Sequence, residues 1–304
     1  MSKISVIITV FDNQDTISAC LESVFKQNIP VFVSVIDNAS SDETVSIVQK
    51  RFKQVSLIRN KQNIGFSATN NQGINRALSA GSDYILILNP DTKLFPFTIK
   101  SLLSAAQRSS NLGIYGPKIY SNTKRKILWS CGGELDPKRW TAKLIGYGMH
   151  DEKQYNESRI TDFISGTCML IPRKVFGRGL RFYEPYFMYY EDVEFCQMAK
   201  RAGFGSIYVP EAAILHTETS AKTEFTTAKQ YYLARNHLLF VGRSASIRVK
   251  LREFMRLPKT VWDHYSSGNM PAVAGLGDYL LGHYGRYDTK KTGSETKTKT
   301  YHSN

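Results

Sequence analysis

Apolar residues crowd the stretch from Ile4 to Val10, and a polar turn follows before Ile17, Cys20, Leu21, Val24 and Phe25 recur at helical spacing. Residues 31–36, 55–58 and 84–88 repeat the short apolar run, rich in β-branched side chains. Helical patterns separate them. One begins near Ser40, which stands in capping-box spacing with Glu43 ahead of Val45, Ile47 and Val48. Another runs from about residue 66 to residue 80 and ends at Gly81. Buried strands alternating with helices predict βαβ units and an α/β fold on a mostly parallel sheet. Such sheets bind their ligands at the carboxyl ends of the strands, where this chain places Asp12, Asp37, Asn63 and the segment Asn89-Pro90-Asp91.

Composition narrows the class. With 304 residues, 42% apolar and 22% charged, the chain is expected to be globular and large enough for a proper core without disulfide or metal staples. Cys20, Cys131, Cys168 and Cys196 form no CxxC pair, so they read as small buried hydrophobes in a reducing compartment. Asp12 and Asn13 interrupt the first apolar run well short of a signal-peptide core, so it reads as a strand. No apolar run approaches the roughly 18 residues of a spanning helix, and no membrane crossing is expected.

The net charge of +14 is uneven. From Lys222 to the end, 14 Lys and Arg stand against 6 Asp and Glu, which puts +8 on the last 83 residues. Within residues 244–265, Ile247, Leu251, Phe254, Met255, Pro258 and Val261 recur at helical spacing while Arg248, Lys250, Arg252, Arg256 and Lys259 crowd the other positions. This pattern suits an interfacial amphipathic helix, or else a core-packing helix with a solvated basic face. Residues 290–304 are rich in Thr and Lys with almost no apolar side chain, and disorder is expected there.

Neither GxGxxG nor GxxxxGK[ST] occurs, which disfavours a dinucleotide-dependent dehydrogenase and a P-loop NTPase. Any phosphate bound at the strand ends needs another partner, and a divalent cation is the obvious substitute.

An ordered series of motifs then resembles the family 2 glycosyltransferases of GT-A fold, and among them the bacterial rhamnosyltransferase-like members. The series runs through Val35-Ile36-Asp37-Asn38-Ala39-Ser40-Ser41-Asp42, Asn63-Ile64-Gly65-Phe66, Leu88-Asn89-Pro90-Asp91-Thr92 and Ser165-Gly166-Thr167-Cys168. It continues with Tyr190-Glu191-Asp192-Val193-Glu194, His216, and Tyr231-Tyr232 through Arg235-Asn236. The resemblance implies a GT-A catalytic domain over residues 1–221, with a nucleotide-binding half to about residue 92 and an acceptor half beyond it. A C-terminal helical, basic region over 222–288 and a tail over 289–304 complete the expected organisation.

The same resemblance assigns roles. Val10, Asp37, Asn38, Asn63, Gly65, Phe66, Asn89 and Arg235 would contact the nucleotide-sugar, with the Asp37 carboxylate accepting from the base or ribose. Gly65 would permit close backbone approach to the nucleotide, and Arg235 would reach the diphosphate with its guanidinium. Asn89-Pro90-Asp91 replaces the family's Asp-x-Asp motif, so Asp91 would anchor Mn²⁺ or Mg²⁺ with His216 completing the shell. Asp192 would act as general base and Glu191 would orient it or the acceptor. Both open a predicted helix, where the dipole favours ionised carboxylates; Glu194 reads as solvated or capping. Phe182, Tyr183, Tyr186, Phe187, Tyr189 and Tyr190 offer an acceptor platform, shared with the core. Asp42 belongs to the start of the second helix, and Asn70 and Gly73 read as packing residues.

The implied reaction moves a sugar with inversion from a nucleoside-diphosphate sugar, foremost dTDP-L-rhamnose, to a saccharide or polyprenyl-linked saccharide acceptor of a bacterial surface polysaccharide. A UDP-hexose or UDP-N-acetylhexosamine transferase of the same fold is the alternative, followed by a non-catalytic nucleotide-sugar binder. Nucleic acid is not an expected partner, because no recognition-helix, RNA-binding or zinc-finger signature accompanies the charge. The expected setting is the cytoplasm, peripheral at the inner face of the plasma membrane and held by anionic lipid; homo-oligomerisation is left open.

Overall fold

The computed structural model describes residues 2–109, 111–121, 126–217 and 223–287. The tail expected to be disordered lies outside them. The first half alternates as predicted: β1 (Ile4–Val10), α1 (Ile17–Phe25), β2 (Phe32–Asp37), α2 (Thr44–Arg51), β3 (Ser56–Arg59), α3 (Gly65–Ser79), β4 (Tyr84–Leu88), β5 (Thr92–Leu94) and α4 (Thr98–Arg108). The second half carries β6 (Leu112–Ser121), β7 (Leu128–Ser130), β8 (Gly133–Leu135), β9 (Ala142–Leu144), β10 (Arg159–Thr161), β11 (Cys168–Pro172), α5 (Arg173–Phe176), a 3₁₀ turn at Glu184–Tyr186, α6 (Glu191–Arg201) and β12 (Gly205–His216). Three helices follow, α7 (Thr223–Ser244), α8 (Ile247–Ser266) and α9 (Met270–Leu280).

One mixed sheet with the order β10-β12-β6-β11-β4-β1-β2-β3 unites both halves, with β5 and β7 at its margin. The strands β3, β2, β1 and β4 pair in parallel, as do β6 and β12, while β11 runs antiparallel between β4 and β6. Helices cover both faces, so the central strands are buried on each side. Ile4, Val6 and Ile8 pack into one apolar cluster and Ile7 into the other, which explains why their segment reads as a near-continuous apolar run.

One local expectation changes. The capping box at Ser40 and Glu43 does not form: α2 begins at Thr44, whose N–H donates to Asp42 Oδ1 at 2.9 Å, while Ser40 Oγ accepts the backbone N–H of Asp12. β12, the strand that ends at His216, carries a bulge between Val209 and Ala213. Asn70 and Gly73 are packing residues as expected: Asn70 is buried and donates to the Phe66 carbonyl, and a Cβ on Gly73 would stand 2.5 Å from Ile7. All four cysteines are buried and free.

The C-terminal helices are fastened to the catalytic part. A Cβ on Gly275 of α9 would stand 2.4 Å from the Tyr231 carbonyl of α7, so only glycine permits this approach. Tyr231 also stacks on Tyr287 and donates to Asp278. On α8, Val249 and Glu253 are buried, whereas the apolar positions named above are largely exposed. Packing therefore claims α9 and one side of α8, and leaves the other side uncovered. Among the described residues no helix is long and apolar enough to cross a membrane.

Candidate active site

Parallel pairing of β1, β2 and β4 brings Val10, Asp37 and Leu88 to one end of the sheet. The Val10 carbonyl accepts the Asn38 N–H at 2.8 Å, and the Val10 side chain is buried in the core. Asp37 is buried as well; its Oδ1 accepts the Ser40 N–H at 3.0 Å, and its Oδ2 faces Arg59 Nε at 3.9 Å. Asn38 is buried and bonded within the fold. Its amide donates to Asn63 Oδ1 at 2.7 Å and its oxygen accepts from the Ile64 N–H and from Asn60 Nδ2. Asn63 Oδ1 in turn accepts the Gly65 N–H at 2.9 Å. Asn38 and Asn63 together build the turn that presents α3.

Gly65 opens α3 beside the loop that carries Phe187. Its φ of +87° suits glycine, but a Cβ there would meet the Phe187 ring at 2.6 Å and the Phe187 carbonyl at 2.7 Å. The close approach that glycine permits is to the protein's own loop. The Phe187 carbonyl accepts the N–H groups of Phe66 and Ser67, two of the donors that the start of α3 would otherwise leave unpaired. Phe66 then lies beside Gly166, where a Cβ would stand 3.4 Å both from its ring and from Asp192 Cβ.

Asp192 sits in the first turn of α6, behind Tyr190 in a left-handed conformation. Its Oδ2 accepts the Gly166 N–H at 2.7 Å and its Oδ1 the Val193 N–H at 2.8 Å. Burial raises its pKa above the ordinary aspartate value, against the pull of these two donors. Glu191, buried and with Oε2 lacking a hydrogen-bond partner, is raised well above the usual glutamate range by desolvation and then by the Asp192 charge. Burial raises the pKa of both carboxyls despite the helix dipole, because the dipole acts weakly beside the cost of removing a carboxylate from water. Glu194 is neither solvated nor a cap. It is buried and holds Arg243 Nε at 2.7 Å and Ser244 Oγ, which ties α6 to α7.

Antiparallel pairing of β5 with the end of β12 sets His216 opposite Thr92, and the Thr217 N–H donates to the Asp91 carbonyl. Across that junction His216 Nε2 lies 3.2 Å from Asp91 Oδ2. Asp91 Oδ1 and His216 Nδ1 are buried without hydrogen-bond partners. A carboxylate and an imidazole with uncommitted atoms fit a divalent cation, with donor phosphates supplying further oxygens. Among the described residues no cluster of three or more His, Cys, Asp or Glu could hold one alone. Asn89 anchors the segment through its backbone, donating to the Thr167 carbonyl and accepting from Thr92 Oγ1.

Arg235 does not reach outward. It is fully buried and donates to the carbonyls of Gly285, Pro185 and Tyr186 and to Asn236 Oδ1, with Tyr231 and Tyr232 beneath the guanidinium. Asn236 donates to the carbonyls of Tyr186, Met188 and Tyr189. The pair shapes the loop that delivers Phe187 to α3 and Tyr190 to α6. Of the aromatic group, Phe182, Tyr186 and Phe187 are core residues, and Tyr183, Tyr189 and Tyr190 remain partly exposed.

One connection escaped the sequence. Tyr190 Oη pairs with His237 Nδ1 at 3.2 Å, His237 Nε2 faces Glu253 Oε2 at 3.5 Å, and Glu253 Oε1 accepts from Arg139 Nε at 3.1 Å. The chain joins the residue before the Glu191-Asp192 pair to α8. No spacing signals it, because its members lie far apart along the sequence.

Comparison with known proteins follows the same outline. The family described as Glycosyltransferase like family 2 matches residues 2–232. The chain is 32% identical to the N-acetylglucosaminyl-diphospho-decaprenol L-rhamnosyltransferase of Mycobacterium tuberculosis, over 62% of this chain and 66% of that protein, just under two thirds of its length. By structure it is similar to TarS 1-349 of S. aureus in complex with UDP-GlcNAc, with a TM-score of 0.60, 16% identity and coverage of 92% of this chain and 81% of the other. It is also similar to the mannosyltransferase PcManGT from Pyrobaculum calidifontis in complex with GDP-Man and Mn²⁺, with a TM-score of 0.56, 16% identity and coverage of 92% and 74%. Both are likenesses of fold.

Proposed function

The chain belongs to the glycosyltransferase-like family 2 and has the GT-A fold, and from that premise we propose that it is an inverting, metal-dependent transferase using a nucleoside-diphosphate sugar. The observation that carries the reading is Gly166, wedged between the Asp192 carboxylate and the Phe66 ring at the start of α3. It sets a base beside the expected donor loop. Asp192, held by two backbone N–H groups, takes the proton of the acceptor hydroxyl as that oxygen attacks the anomeric carbon and the nucleoside diphosphate departs. Glu191, its carboxyl favoured in the neutral form, lies behind Asp192 and keeps a second negative charge away from it. Asp91 and His216 would hold Mn²⁺ or Mg²⁺, which supplies charge neutralisation at the departing phosphates.

Similarity to the L-rhamnosyltransferase supports dTDP-L-rhamnose as donor and a polyprenyl-linked saccharide as acceptor; similarity to a UDP-GlcNAc complex keeps UDP-sugars as the alternative. Residues 1–92 would form the donor half, 93–221 the acceptor half and 222–288 the helical extension. A lipid-linked acceptor would place the enzyme at the inner face of the plasma membrane. The test is release of nucleoside diphosphate from a panel of dTDP- and UDP-sugars with Mn²⁺ and a lipid-linked acceptor. Release from one donor class that disappears in Asp192→Asn supports the reading. Equal release by wild type and variant from every donor refutes it.

A further inference from the structure

Helix α8 turns its apolar side away from the protein. Ile247, Leu251, Phe254, Met255, Trp262 and Tyr265 are each more than half exposed, with Phe254 at 72% and Met255 at 73%. At about 100° per residue these positions fall within an arc of about 100° on one face. Val249 and Glu253, the buried residues of the helix, lie on the opposite face. An ordinary surface helix has the reverse arrangement, with its apolar side inward. Water is therefore an unfavourable neighbour for this stripe, and a contiguous exposed patch of this kind marks a contact surface.

The flanks identify what the contact is. Arg248, Lys259 and Arg252 follow one edge of the stripe and Lys250 the other, while Arg256 falls nearer the buried side. Of the two acids on the helix, Glu253 is turned inward to Arg139, and Asp263 pairs with Lys259. Arg252 also donates to the Lys138 carbonyl. A second copy of the chain docking here would bring the same positive flanks against each other. A surface that is apolar within and negative at its rim matches both features, and a bilayer containing anionic lipid has that profile, with acyl chains beneath phosphate headgroups. The aromatic pair Trp262 and Tyr265, with ring centroids 6.1 Å apart, suits the interfacial depth where amphipathic rings settle.

We propose that α8 is a membrane-docking helix, which lies in the plane of an anionic bilayer with the Ile247-to-Tyr265 stripe immersed and the basic flanks on the headgroups. Docking deepens the lipid-linked acceptor reading, on which its purpose rests, but the contact itself requires no turnover. Glu253 fixes the helix to the catalytic part from the dry side through Arg139 and His237. The bilayer would thus hold the Tyr190-Glu191-Asp192 turn at a set orientation above the surface.

The test uses the full chain and vesicles of phosphatidylcholine with or without phosphatidylglycerol. Wild type is expected to sediment with the anionic vesicles, to stay in solution with neutral ones, and to be released as salt screens the attraction. Trp262 fluorescence should shift to shorter wavelength on binding, and the shift should vanish in Trp262→Phe. Leu251→Glu combined with Phe254→Glu should lower partitioning about tenfold or more, while circular dichroism and turnover on a soluble acceptor stay as in wild type. Unchanged vesicle binding by that double variant would overturn the proposal. So would a wild type that ignores anionic vesicles and forms a dimer which the double variant dissolves. Loss of turnover on the soluble acceptor in Asp192→Asn, with vesicle binding intact, separates the catalytic reading from this one.

Discussion

The N–H of Gly166 meets Oδ2 of Asp192 at 2.7 Å. A residue from the turn before β11 thereby aims the first-turn carboxylate of α6, and the carboxylate cannot rotate without leaving that donor unpaired. Burial still outweighs the bond and raises the Asp192 pKa. Because only the ionised form accepts a proton, kcat/KM should rise with pH along a limb displaced above the ~3.9 of an ordinary aspartate. For stability the sign is opposite. A raised folded-state pKa contributes stability below the unfolded value that is lost as pH rises through the folded one, and Glu191 adds to it in the same direction. A pH–rate limb at or below the ordinary aspartate value would remove Asp192 from the role.

Asp192→Asn keeps the size of the side chain and an oxygen for Gly166, but no longer accepts a proton. Turnover should fall by about 10² or more, with nucleotide affinity nearly unchanged. Stopped assays of nucleoside diphosphate release, paired with calorimetry, check both halves. Turnover within threefold of wild type would be incompatible with a general base at this position.

Asp91→Ala should abolish the metal dependence of nucleotide binding, since it deletes the carboxylate that faces His216. His216→Ala should weaken it less, because Asp91 and the phosphate oxygens remain. Titrating nucleoside diphosphate into each variant with and without Mn²⁺ decides the matter. Equal metal dependence in wild type and Asp91→Ala would mean the ion binds elsewhere.

Glu253 is buried, yet the hydrogen bonds and charges of His237 and Arg139 outweigh its desolvation and hold its pKa at about 2. A depressed carboxylate contributes stability that is present above the unfolded value of ~4.3 and is lost as pH falls from there toward the folded one. Glu253→Gln should therefore cost about 1–3 kcal/mol at neutral pH, and the difference from wild type should shrink under acid. Urea unfolding at several pH values reads it directly. A difference that does not depend on pH would show that the charge of Glu253 is not what stabilises the contact.

Gly65→Ala would place a methyl group 2.7 Å from the Phe187 carbonyl at a φ that L-residues rarely adopt. A loss of about 1–3 kcal/mol is expected, together with weaker donor binding as α3 shifts away from Phe187. Full stability in this variant would mean that the loop yields more easily than its contacts imply.

Much of the molecule was legible along the chain because burial writes itself into periodicity. The apolar runs that became β1, β2, β3 and β4, the helix ending at Gly81 and the turn into α6 at Glu191-Asp192 follow from spacing and local chemistry. The exposed stripe of α8 was equally visible as a pattern, although which side faced the protein was not. What periodicity does not encode is the partner of each polar atom. Asn38 and Arg235 carry the groups of ligand contacts, yet their donors and acceptors meet Asn63, Ile64, Pro185, Tyr186 and Gly285 inside the fold. Gly65 answers to Phe187, and Asp91 meets His216 only because β5 pairs with β12 across more than 120 residues. Local sequence determines which way a segment folds and which face it buries, through interactions over a few residues. Whether a buried carboxyl stays charged, and whether an arginine binds phosphate or its own backbone, depends on neighbours that only the packed chain supplies.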